Sequence, residues 1–132
     1  RSALTRLPFP ASDSCHSVAA SAPAGATRDL MSYYCALGWD ESRLAARIQA
    51  AADWASRHDA ALLAGEFGAT ARLNKNARLA WLSTVRRSLE SRSIGWAIWG
   101  YDDEMGFAVS RPPPAKPILD RDVLSALGLK IQ

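Results

Sequence analysis

"LLAGEFGA", residues 62–69, is an apolar run of strand length that stops at a glutamate set between two glycines. Taken from Ala60 to Glu66, with breakers around it, the segment reads as a β-strand. Its neighbours decide how that strand is used. Upstream, Leu44, Ile48, Ala51, Ala52 and Ala55 recur at helical spacing; Asp40 stands where an N-cap is needed, and Arg57 and His58 suit the negative end of the helix dipole. Downstream, Leu79, Leu82, Val85, Arg86 and Leu89 mark a helical stripe from about Asn76 to Ser91, with Asn74 or Asn76 available as its cap. "IGWAIWGY", residues 94–101, is apolar and aromatic and reads as a buried second strand. A proline-rich loop, "SRPPPAKP" (110–117), leads to a short last helix capped by Asp120, burying Val123, Leu124 and Leu127 and stopped by Gly128. Helix, strand, helix, strand, helix is the order of an α/β fold with parallel strands joined by a right-handed crossover.

Parallel strands place their C-terminal ends on one edge. Glu66 and Trp99 both occupy such ends, and with neighbouring strands about 4.8 Å apart the carboxylate and the indole should open into one crevice. Strict alternation would put Leu62, Ala64 and Glu66 on one face of the first strand and Gly95, Ala97 and Trp99 on one face of the second. Trp96 and Ile98 then turn towards the helices. Small residues beneath Trp99 suit a tapering interior with one large side chain at its mouth. Trp54, Trp81 and Trp96 are expected in packing, and Trp39 is left open. The plain alternative for Glu66 is a solvated loop acid between turn glycines; against it stands its position, where sheets and barrels bind ligands.

With 132 residues, 48% of them hydrophobic and 22% charged, the chain has the balance of one ordinary globular domain. The net charge of +3 is spread over Arg43, Arg47, Arg57, Arg72, Arg78, Arg86 and Arg87, mostly on what read as solvated helix faces, so no nucleic-acid patch is expected. No run of apolar residues reaches membrane-spanning length, and the first residues have no signal-peptide zones. His16 and His58 are isolated and no zinc-type spacing occurs, so neither metal nor cofactor is expected. Residues 1–37 are rich in Pro, Gly, Ser and Ala without sustained period and read as a long connection with a short helix around Arg28 to Cys35. Cys15 and Cys35 within it could form a bridge, closing a loop of about 20 residues and contributing roughly 3 kcal/mol in an oxidising compartment; two free thiols are the alternative.

Together, "LLAGEFGA", "RLAWLSTVRRSLESRSIGWAIWGYDDEMGF" (78–107) and "ILDRDVLSALGL" (118–129) resemble the C-terminal part of glycoside hydrolase family 5, the cellulase family with a (β/α)8 TIM barrel. The likeness runs from about Tyr34 to Leu129. It implies that Glu66 is the catalytic nucleophile at the end of the seventh strand and that Trp99 is the sugar platform at the end of the eighth. It implies further a retaining endo-β-1,4-glucanase, a β-glucan polysaccharide as substrate, and a secreted or periplasmic setting. A retaining glycosidase needs a second carboxylate about 5 to 5.5 Å from the first. The family's Asn-Glu-Pro context for that acid, its early-strand Arg and its His-x-Tyr element do not occur in this sequence. Asp102, Asp103 and Glu104 lie in a polar loop and read as solvated rather than as a substitute. The chain is therefore expected to be a C-terminal fragment of one barrel domain, to need the N-terminal part of that barrel as its partner, and to be inactive alone. Open alternatives are another β-glycan, such as β-mannan or β-1,3-glucan, and a non-catalytic carbohydrate-binding fragment using Trp99 and Trp39.

Overall fold

The computed structural model describes residues 2–109 and 114–130. After a 3-10 turn (Ala3–Arg6) come α1 (Ser14–Ala20), α2 (Ala26–Leu37), α3 (Glu41–Arg57), β1 (Leu63–Phe67), α4 (Lys75–Glu90), β2 (Gly95–Ile98), β3 (Ala108–Val109), β4 (Ile118–Leu119) and α5 (Arg121–Ala126). β1 and β2 pair in parallel across α4, and β3 and β4 form a separate antiparallel pair that no pattern in the sequence announces. Residues 110–113 of the proline-rich loop lie outside the described residues.

Local chemistry accounts for the helix ends. The Asp40 carboxylate accepts from the Arg43 backbone N–H at 2.8 Å, and this bond and one from Ser42 hold its pKa below the ordinary value. Asn74 caps α4 through the Ala77 N–H, and Asp120 caps α5 through the N–H groups of Asp122 and Val123. Gly38 and Gly128, at φ of 57° and 68°, take the left-handed turn that ends α2 and follows α5.

The strand faces depart from strict alternation. Leu63 pairs with Gly95 and Ala64 with Trp96, but the next partners are Phe67 and Ile98, so β1 uses one more residue than β2. That extra residue changes the parity. Leu62 and Ala64 pack with Val85, Leu89 and Ile94 on the helix side, and Phe67 joins that side against Trp81 and Trp96, with ring centroids 6.2 and 5.6 Å away. Glu66 is thereby released from the face expected for it alongside Leu62 and Ala64. On β2, Trp96 and Ile98 pack into the core, while Gly95, Ala97 and, just past the strand, Trp99 are exposed.

α4 is the keel of this unit. Leu82, with none of its surface exposed, meets Val123 and Leu127 on one flank, and Val85 and Leu89 meet Leu44 and Ile48 of α3 on the other. Trp54 is not core, contrary to expectation: it is 50% exposed on α3, with its ring 4.6 Å from that of His58. α3 buries its stripe on one side only, and Trp54 falls outside it.

Residues 1–37 also correct the sequence reading. The helix expected around Arg28 to Cys35 is present as the longer α2, but the rest is not a long connection: α1 and α2 form a hairpin whose own core is Ala3, Leu7, Cys15, Ala19, Ala22, Met31 and Cys35. Cys15 and Cys35 are joined in a disulfide with their Cα atoms 5.6 Å apart. Arg28 donates to the Ala22 carbonyl across the turn, and Tyr34 donates its hydroxyl to the Pro8 carbonyl at 2.8 Å. Burial raises the Tyr34 pKa. The hairpin is fastened to the rest by Leu73, which packs on both cores, and by Asn74, whose amide donates to the Thr5 carbonyl at 3.2 Å.

Candidate functional site

Glu66 lies near the C-terminal end of β1, exposed, its carboxylate making neither a hydrogen bond nor an ion pair with the described residues. Trp99 follows β2 directly and is 48% exposed. Its backbone N–H donates to the Phe67 carbonyl at 2.8 Å, which brings the two strand ends to one edge. Beside them Gly68 fits closely: a side chain there would begin 3.3 Å from the Trp99 Cβ, a tight contact, and 3.5 Å from the Met105 Cε. Glycine thus eases the close approach of the loop after β1 to the Trp99 Cβ. The edge presents an exposed carboxylate and a half-exposed indole, an arrangement that can offer a nucleophile or an anion beside an apolar platform.

The loop from Tyr101 to Phe107 closes above this edge. Tyr101 and Phe107 meet edge-on at 5.4 Å, and the Ala108 N–H donates to the Tyr101 carbonyl at 2.8 Å. Gly106 allows that closure, because a Cβ there would fall 2.2 Å from the Tyr101 oxygen. Asp102, Asp103 and Glu104 are all exposed. Asp103 accepts from the Met105 N–H at 2.8 Å, and Glu104 pairs with Arg72 at 2.6 Å, so both act in shaping the loop.

One residue of the site escapes the sequence reading. Arg78, expected among the arginines of solvated faces, is buried at 7% exposure on α4. Its Nε donates to the Ala69 carbonyl at 2.7 Å, and its Nη2 to the carbonyls of Gly106 at 2.8 Å and Met105 at 3.4 Å. Burial lowers its pKa, and the charge of Asp120 opposes that effect. A signal is present in the sequence: Arg78, Leu82, Val85 and Leu89 follow one another at the spacing of a single buried stripe.

Trp39 is partly buried in the wall of a cavity of about 630 Å³ between the helical hairpin and the loop after β1, beside Leu7, Phe9, Met31 and Tyr34. Among the described residues no group of three or more His, Cys, Asp or Glu side chains could hold a metal ion, and no helix is long and apolar enough to cross a membrane.

The exposed acid and indole of this parallel βαβ unit lie at the C-terminal edge of its strands, the edge on which α/β barrels carry their sites. Residues 16–104 match the profile of cellulase, glycosyl hydrolase family 5, and the chain belongs to that family. Solved structures of similar fold are TIM-barrel enzymes of the same family, consistent with a partial barrel here. The cellulose synthase subunit Z (CcsZ) from Clostridioides difficile is 31% identical, with a TM-score of 0.60 over 66% of this chain and 28% of that one. Thermotoga maritima Cel5A in complex with cellobiose is 26% identical, with a TM-score of 0.60 over 67% of this chain and 27% of that one. A Cel5A complex with mannotriose aligns with 95% of this chain at 19% identity and a TM-score of 0.60, a likeness of fold. The chain thus spans 28% and 27% of the length of the first two structures. No curated protein matches.

Proposed function

We propose that this chain is the last two strands and associated helices of a retaining glycoside hydrolase barrel, acting as an endo-β-1,4-glucanase on β-glucan. Family membership supports the glycosidase reading, and relatives include an endo-β-1,4-glucanase in complex with substrate and Cel5A with cellobiose. The observation that carries it is the pairing of an exposed Glu66 carboxylate and the Trp99 indole at one edge of two parallel strands. Glu66 attacks the anomeric carbon, and Trp99 offers its face to the C–H side of the pyranose. The acid/base carboxylate belongs to the N-terminal part of the barrel, since its Asn-Glu-Pro setting does not occur in this sequence. The chain by itself is then inactive. A secreted or periplasmic setting goes with this reading: a polymeric substrate is too large to enter a cell, and the Cys15–Cys35 bridge suits an oxidising compartment.

The test is Glu66→Gln in a longer protein that also contains the remaining strands. The amide keeps the shape and cannot attack, so hydrolysis of a soluble cellulose derivative should fall by several orders of magnitude. Retention of full activity removes Glu66 from the nucleophile's role. A panel with β-mannan and β-1,3-glucan assigns the substrate separately, because related sites keep the nucleophile and change their loops.

A further inference from the structure

We propose that Arg78 is the positioning residue of this site, a buried clamp that sets where Glu66 and Trp99 stand relative to each other; the proposal rests on the reading of those two residues as the site. Its guanidinium spans two loops. Nε holds the Ala69 carbonyl, three residues after Glu66, while Nη2 holds the carbonyls of Met105 and Gly106, in the loop that follows Trp99. Those loops are otherwise joined near the site by the Ala71 N–H to the Glu104 carbonyl at 2.6 Å and by the exposed Arg72–Glu104 pair. Exposed pairs of that kind are screened and weak, whereas a buried cation with several carbonyl acceptors is costly to displace.

The geometry suits arginine in particular. Two carbonyls on separate loops must be met at once by donors in a fixed plane, which the guanidinium fork provides and a lysine ammonium does not. α4, which carries Arg78, is fixed in turn by Leu82 packed against Val123 and Leu127. The clamp therefore refers both loops to the rigid keel of the unit. Gly68 keeps the two loops close: the point where its side chain would begin lies 3.3 Å from the Trp99 Cβ and 3.5 Å from the Met105 Cε, so a shift of the Met105 loop changes the packing beside Trp99.

The experiment uses the full chain labelled with 5-fluorotryptophan, with the Trp99 fluorine line assigned by Trp99→Phe and Trp54 on the far helix as reference. Arg78→Met removes the clamp and keeps the apolar stem; Arg78→Lys keeps the cation as well and serves if the methionine variant does not fold. In either variant the Trp99 line should shift or split while the Trp54 line stays. Amide exchange at Ala71, Gly106 and Ala108 should rise at least about tenfold, the effect of losing one charge-assisted bond, while Leu82 and Leu89 keep their protection. In Arg78→Ala, ethylguanidinium should restore both readings and ethylammonium should not. An unchanged Trp99 line with unchanged loop exchange in Arg78→Lys overturns the proposal, as does a uniform loss of protection across the chain. Neither reading involves a sugar, so a wrong assignment of Glu66 as nucleophile appears in the hydrolysis test and leaves these results as they are.

Discussion

The disulfide-tied hairpin and the parallel βαβ unit are two solutions to the same problem of holding short helices in place. The βαβ unit buries large branched and aromatic side chains: Leu82, Val85, Leu89, Val123 and Leu127 around one long helix, with Phe67, Trp81 and Trp96 closing over them. In the hairpin, the fully buried set is smaller in side-chain size: Ala3, Ala19 and Ala22, the bridged Cys15 and Cys35, Leu7 and Met31, with Leu4, Val18, Tyr34 and Leu73 partly buried against them. Where side-chain area is scarce, a covalent tie supplies part of the stability that packing provides elsewhere. The difference teaches where order comes from in each half, and it sets the size of what each half should lose.

The largest loss is expected at the keel. Leu82→Ala leaves a cavity at a fully buried site and should cost about 2–5 kcal/mol in chemical denaturation, with protection lost first in α4, β1 and β2. A cost under about 1 kcal/mol would show that α4 is not the element on which the unit depends. Next comes the tie itself. Replacing Cys15 and Cys35 by serine should cost roughly 3 kcal/mol, with amide protection falling in α1 and α2 and holding in α4. Equal losses in both regions would erase the distinction between them. The smallest effect belongs to Trp54→Ala, under about 1 kcal/mol despite the size of the side chain, because half of it already faces solvent. A loss near that of Leu82→Ala would return Trp54 to the core.

Much of the βαβ unit is legible in the sequence because each element carries its own period and its own cap. Asp40, Asn74 and Asp120 cap the helices that follow them, and Val123, Leu124 and Leu127 are buried as their spacing requires. Of the hairpin only α2 is legible, as the short helix around Arg28 to Cys35; the small side chains of α1 produce no contrast between faces, and a helix without contrast reads like a connection. The crevice is legible only in outline. That Glu66 and Trp99 meet at one edge follows from parallel order, but the face Glu66 takes depends on the extra residue in β1, which no local pattern announces. Arg78 escapes for a related reason: charge argues for solvent, and its acceptors are carbonyls that come together only when two distant loops close on α4.

By itself the sequence determined the elements of the βαβ unit, their caps, the parallel order and the two strand-terminal residues, because these rest on periodicity and local hydrogen bonding. Tertiary structure alone decided the parity of β1, the packing of α1 against α2 and the carbonyl acceptors that allow Arg78 to be buried. Each of these depends on contacts between residues far apart in the chain, whose free energy exceeds the local preferences that a sequence displays.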